Sequence, residues 1–217
     1  MTFYFGDLLP YFPLMLQALW VSIYITLISM VVGSALGVLV YLGKASSSRL
    51  LSRTSSAYIE VLRNTPLLVQ LYLIYFGLGQ VGVNLNPLWA ALLGMTLNNS
   101  AYTAEIFRAG FLAVPAGLSE AGRALGMSTR QTFRFVLFKP AIRSVFPALT
   151  NQFIVLFLFS SVASVISLEE LTSILMNLNS TTLRTLEVFT YGGLLYYLTS
   201  SIISVGSRVA ERVMFRW

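Results

Sequence analysis

Few side chains in this sequence could carry covalent or acid–base chemistry, and their spacing argues against it. Glu169 and Glu170 form a carboxylate pair. Adjacent helical residues point about 100° apart, so the two do not readily share one substrate. Gly43-Lys44 is the only Gly-Lys dipeptide. Its upstream glycine, Gly37, is one place out of register for a phosphate-binding loop, and Ala45 stands where that loop needs a hydroxyl. The chain has no histidine and no cysteine. Thiol nucleophiles, imidazole acid–base work, Cys-rich zinc sites, haem ligation by histidine and disulfides are therefore excluded. The expectation is a protein that is not an enzyme and holds no cofactor. If ATP powers it, the ATP and its Mg²⁺ belong to another subunit.

Polar chemistry of a different kind collects in Ser119-Glu120-Ala121-Gly122-Arg123-Ala124-Leu125-Gly126-Met127-Ser128. Ser119 is a candidate helix cap with Glu120 in the first turn, where negative charge suits the helix dipole. Gly126 can end that helix in a left-handed conformation. Ser128 and Gln131 have capping-box spacing and predict a second helix. Such a helix-turn-helix, set between long apolar runs, reads as a docking element.

Those apolar runs define the framework. The 217 residues are 56% hydrophobic and 10% charged, with mean hydropathy +0.76, against roughly 25% charged in soluble domains. A membrane-spanning helix needs about 20 apolar residues. The uncharged stretch from Asn64 to Ala104 is too long for one span, and it is interrupted by Gly77-Leu78-Gly79-Gln80-Val81-Gly82-Val83-Asn84-Leu85-Asn86-Pro87. The pattern predicts one all-α transmembrane domain over 1–217. Its five spans fall at about 14–42, 59–79, 88–110, 138–162 and 188–208, with a polar loop at about 111–137.

Lys44, Arg49, Arg53 and Arg63 flank the first connection, and Arg108 to Arg143 flank the third. Arg208, Arg212 and Arg216 follow the last span, leaving Arg184 alone on the other side. Thirteen of the 14 basic residues thus fall on one side, which the positive-inside rule makes cytoplasmic. The N-terminus is expected outside, and the C-terminus and Glu120 loop inside. The net charge of +6 lies at membrane boundaries, which speaks for the lipid bilayer as partner and against nucleic acid. Phe3, Tyr4, Phe5, Tyr11 and Phe12 read as an interfacial lead-in, and Trp20, Trp89 and Trp217 as lipid-facing or interfacial anchors.

Within the spans, Asn98, Asn99, Tyr102 and Thr103 cluster late in the third. Asn151, Gln152, Ser160, Ser161 and Ser164 lie along the fourth. Two readings stand: a polar conduit for a zwitterion, with Asn98 and Ser161 touching it, or hydrogen bonds between helices. Glu105 and Arg108 have ion-pair spacing on one helix. Gly33 and Gly37 form a helix-packing pattern.

Glu120-Ala121-Gly122, three residues and Gly126 resemble the EAA loop of bacterial ABC-importer permeases. Arg63-Asn64-Thr65-Pro66-Leu67-Leu68-Val69-Gln70, Asn99 to Gly110, Ser161 to Ser167 and Glu170-Leu171 resemble the polar amino-acid branch. The resemblance implies a type I importer permease fold in the bacterial inner membrane and import of a polar amino acid or similar small solute. It also implies two ATP-binding cassette subunits, a second permease subunit, identical or related, and an extracytoplasmic solute-binding protein. Glu120, Ala121, Gly122, Arg123 and Gly126 carry over as ATPase-coupling residues. Asn98, Asn99, Tyr102, Ser160, Ser161 and Ser164 are the expected substrate path. The sequence departs from the branch at Gly122, at Lys139-Pro140, where the proline comes one place late, and at Leu158-Phe159, where members often have lysine followed by an acidic or polar residue. A self-contained secondary transporter and a membrane scaffold for a soluble partner are the alternatives.

Overall fold

In the computed structural model, which describes residues 5–215, every regular element is helical. The expectations for Phe3, Tyr4 and Trp217 lie outside those residues. A short 3-10 segment, Phe5–Tyr11, leads into the first long helix, Phe12–Lys44. At 33 residues that helix is about 50 Å long, well over the roughly 30 Å of hydrocarbon in a bilayer. It packs most extensively on the central helix, Pro87–Leu112. Pro87 sits where a helix needs no N–H, and the Asn86 side chain accepts the Trp89 amide at 2.9 Å, which fixes the start of that helix.

Two glycines set how closely these helices approach. A Cβ on Gly33 would lie 2.8 Å from Asn99 Nδ2 and 2.9 Å from the Thr96 carbonyl oxygen, and one on Gly37 would collide with Thr103. The small-residue pattern is therefore a contact seam. Across it Asn99 Nδ2 donates to the Ser29 carbonyl at 3.3 Å, and Thr103 Oγ1 to that of Gly33 at 3.3 Å. From the opposite flank Gln152 Nε2 donates to Asn99 Oδ1 at 3.2 Å, tying in the helix Phe138–Phe159.

Three helical runs are long and apolar enough to cross a membrane: Phe5–Lys44, Thr129–Ile166 and Thr185–Met214. A fourth is added if Arg49–Arg63 and Leu67–Gln80 count as one span. Pro87–Leu112, where the sequence predicts a span, lies outside that set. Its buried Asn98, Asn99, Ser100 and Thr103 lower its hydropathy while bonding inside the bundle. The span expected at 59–79 does not run as one helix: its two parts are bent by 104° across Asn64-Thr65-Pro66. A residue before proline disfavours the helical region, so Thr65 cannot carry the helix through.

After Phe159 the chain tightens into a 3-10 turn, Ser160–Ile166, passes Ser167 in a left-handed conformation, and starts the short helix Leu171–Thr182. Glu170 caps that helix by accepting the Ser173 amide at 2.9 Å. The same fully buried carboxylate accepts Ser22 Oγ at 3.2 Å from the first helix and the Tyr196 hydroxyl at 3.0 Å from the last, Thr185–Met214. It joins three helices. Beside it lies an apolar cluster including Met15, Phe157, Leu175 and Val188, while Ile25, Leu71, Met95 and Leu156 form the other core.

Burial pushes the Glu170 carboxyl above its ordinary value, opposed by the Thr172 and Ser173 amides and the Tyr196 and Ser22 hydroxyls. The folded chain thus holds this proton to a higher pH than the unfolded chain. The associated stabilisation is complete below the ordinary carboxylate value and is lost as pH rises through the folded one. Glu170→Gln should therefore gain thermal stability relative to the parent as pH is raised above the ordinary carboxylate range, in detergent melts across pH. Gly37→Val should cost about 1–3 kcal/mol or more by overpacking the seam, read as a lower melting temperature.

Candidate functional site

The polar loop folds as a hairpin. Its first helix is Ala116–Ala124, capped by Pro115 rather than by Ser119. Proline has no N–H to satisfy and its fixed φ suits a helix start, so the helix begins three residues before the expected cap and Glu120 falls in its middle. Gly126 takes φ +73°. The Gly126 amide donates to the Arg123 carbonyl at 2.9 Å and the Met127 amide to that of Gly122 at 3.0 Å, the bond pair of a Schellman ending. The capping box is complete: Gln131 N donates to Ser128 Oγ at 3.3 Å and Ser128 N to Gln131 Oε1 at 2.8 Å. Glu120, Ala121, Arg123, Leu125 and Gly126 are exposed. Gly122 is buried against Thr132, whose Cγ2 would lie 2.6 Å from an added Cβ, so its smallness serves the hairpin itself.

The hairpin is not hung loosely. After Gln131 the chain forms a π turn, Thr132–Leu137, immediately before Lys139 and Pro140. Phe133 on that turn stacks on Phe111 at 5.7 Å, and Phe111 stacks on Tyr41 at 5.7 Å. One aromatic column therefore links the hairpin to the ends of the central and first helices.

At the same end of the bundle Glu105 gathers three cations from three helices. Lys44 Nζ lies 2.6 Å from its carboxylate, Arg108 Nε 2.8 Å and Arg63 Nη1 3.9 Å. Sequence spacing identifies only the Arg108 partner, because the other two arrive through tertiary packing.

Two cavities follow one another here. One of about 760 Å³ is lined by Arg63, Tyr102, Glu105, Arg108, Asn151 and Gln152 among others. The other, of about 400 Å³, is lined by the broken-helix segment 63–68 with Asn98, Tyr102, Phe159 and Val162. The break that builds its wall is repaired by side chains. Gln70 Nε2 donates to the carbonyls of Leu62 at 2.9 Å and Thr65 at 3.2 Å, and Asn98 Nδ2 to Gln70 Oε1 at 3.1 Å. Irregular backbone at membrane depth is tolerated when it lines a cavity and its polar groups find partners.

Of the expected path residues, Asn98 and Tyr102 line the smaller cavity, and Asn99 is committed to helix contacts. Ser160 is buried and bonds the Phe157 carbonyl at 2.7 Å. Ser161 and Ser164 bond back to the Leu158 and Ser161 carbonyls at 2.7 and 2.8 Å. Ser161 lies in sequence between Phe159 and Val162, which line the cavity. Gln70 closes the Arg63-to-Gln70 motif of the sequence, but nothing in that motif marks its side chain as the one that bridges the break.

The sequence model of the family described as binding-protein-dependent transport system inner membrane component matches residues 33–212. A nopaline transport system permease protein of Agrobacterium fabrum is 36% identical over 210 residues, covering 92% of this chain and 87% of its own length. An arginine transport system permease protein of Bacillus subtilis is 32% identical over 209 residues, covering 96% and 95%. The crystal structure of an amino acid ABC transporter with histidines superposes with TM-score 0.93 at 38% identity, over 98% of this chain and 99% of that one.

Replacing Gln70 by leucine takes the Gln70 donor from the Thr65 carbonyl and leaves the Leu62 carbonyl with only the long 3.5 Å bond from Asn98. The variant should lose about 1–3 kcal/mol in detergent unfolding, with Asn98→Ala costing less because it removes only the bond to Gln70 and a long one of 3.5 Å to the Leu62 carbonyl.

Proposed function

The chain belongs to the family of binding-protein-dependent transport system inner membrane components, and on that premise we propose that it imports an amino acid or a close relative. It is a permease subunit of a binding-protein-dependent transporter, and the compared relatives for nopaline and arginine support the solute class. In this reading it works in the bacterial inner membrane, N-terminus outside and C-terminus cytoplasmic. It works with a second permease subunit, an external solute-binding protein and two ATP-binding cassette subunits that hold the ATP and Mg²⁺.

The observation that carries the mechanism is the hairpin joined by an aromatic column to the first helix and to the central helix, which lines both cavities. ATP-driven closure of the cassette subunits moves the face formed by Glu120, Ala121, Arg123 and Gly126. The π turn and the Tyr41–Phe111–Phe133 stack pass that displacement to the first, central and fourth-span helices. Solute access then switches because the closed cassettes bind one arrangement of the helices better than the other. Gly122 contributes by letting the hairpin close on itself. Asn98 touches the solute, with Tyr102 at the cavity wall and Ser161 beside them; Asn99 holds the neighbouring helices, and Ser160 and Ser164 brace their own turn.

The test is reconstitution of the complete transporter in proteoliposomes with its binding protein and a panel of radiolabelled amino acids. ATP-dependent uptake of one or more is expected, and Ala121→Trp should reduce it at least about tenfold, roughly 1.4 kcal/mol in coupling. The variant's melting temperature should stay near the parent's, since Ala121 is exposed. Uptake without the cassette subunits would establish a self-contained carrier and overturn the proposal. Assembly with no uptake of any amino acid would overturn the solute class.

A further inference from the structure

Arg63 occupies an unusual position: it lines both cavities, and so does Tyr102, whose ring lies 5.4 Å from the Arg63 guanidinium carbon. The Tyr102 hydroxyl also reaches the Arg63 carbonyl at 3.5 Å. The pair is therefore the neck through which the two spaces adjoin. Arg63 is the only charged residue among those lining the smaller cavity; the others include Asn98, Leu67, Leu68, Phe159 and Val162.

The charge of Arg63 is also the least engaged of its cluster. Lys44 and Arg108 hold Glu105 at 2.6 and 2.8 Å, within hydrogen-bond range, and together they already exceed its single negative charge. Arg63 stands at 3.9 Å, too far for a hydrogen bond, with its side chain 41% exposed. A partly exposed guanidinium held over a ring at the wall of both cavities is suited to a planar carboxylate that it can grip with two parallel N–H groups.

We propose that Arg63 reads the carboxylate of the solute as it passes from the Asn98 cavity to the Glu105 cavity. Tyr102 and Glu105 act as positioning residues that keep the guanidinium at the neck. This rests on the reading of the chain as an amino-acid permease, and it specifies what the solute must carry: a free carboxylate. No acidic residue lines the smaller cavity, so a solute's positive group finds no charged partner there. The simpler role for Arg63, the last residue of the helix Arg49–Arg63, is to complement that helix's negative end. That role predicts altered stability but no chemical discrimination.

The measurement is direct binding to the purified permease–cassette complex without binding protein. The probe is whichever radiolabelled amino acid the wild-type proteoliposomes take up, set against its carboxamide as competitor. In the parent complex the amino acid should compete at least about tenfold better than its carboxamide. In Arg63→Gln the amino acid should bind about tenfold more weakly and the two should compete equally, while Arg63→Lys keeps part of the preference. Arg63→Gln binding within twofold of the parent would overturn the proposal, as would a parent complex that takes up the amino acid yet binds it no better than the carboxamide. A variant that fails to assemble is replaced by Tyr102→Leu, which loosens the neck without removing the charge and should weaken binding while keeping the carboxylate preference; loss of that preference would also count against Arg63. Absence of uptake by the wild-type proteoliposomes is a separate result and refutes the amino-acid reading itself.

Discussion

Inside hydrocarbon an unpaired amide or carbonyl has no water to turn to, and the rest of this structure depends on how that constraint is met. The central helix carries Asn98, Asn99, Ser100 and Thr103, all buried. Each is matched to a specific partner: Asn99 to the first helix and to Gln152, Ser100 to the Tyr58 hydroxyl, Thr103 to Gly33, Asn98 to Gln70. Gly33 and Gly37 make those bonds possible by letting the two backbones come close. With this polar seam fixed, the broken second span has something to lean on, and its sharp bend becomes a cavity wall rather than a defect.

The polar hairpin meets its backbone needs locally. The hairpin is closed by a Schellman ending and a capping box, with Gly122 packed on Thr132. It has few internal degrees of freedom left. Its link to the bundle runs through aromatic stacking and a π turn, an element in which the helical bond pattern is already irregular and register can change at low cost. In the proposed mechanism, force on the exposed face is delivered to the helix ends that surround Glu105, where three cations from three helices meet one carboxylate.

How far these features could be read in advance follows their sequence range. Gly126, the Ser128–Gln131 box, the Glu105–Arg108 pair and the Gly33/Gly37 seam are set by neighbours within four residues, and the sequence carries them openly. Ser119 has the right chemistry for a cap, yet Pro115 begins the hairpin helix earlier. The bend at Asn64-Thr65-Pro66 falls inside the span expected at 59–79, although the proline marks it. Glu170 and Lys44 were out of reach for another reason: their partners lie 148 and 61 residues away. The two open readings of the intramembrane polar residues divide by position. Asn99, Ser100 and Thr103 are occupied with helix contacts, while Asn98 and Tyr102 also face a cavity.

Joint movement of the hairpin and the cavities can be measured on a clean background, because this chain has no cysteine. A single Asn151→Cys variant in the larger cavity would be assembled into the complete transporter and labelled with a charged thiol reagent, with the cassette subunits free and then trapped closed by vanadate. The account predicts that trapping changes the labelling rate severalfold and that Ala121→Trp abolishes this change. A labelling rate at Asn151→Cys that is the same in both states would contradict it.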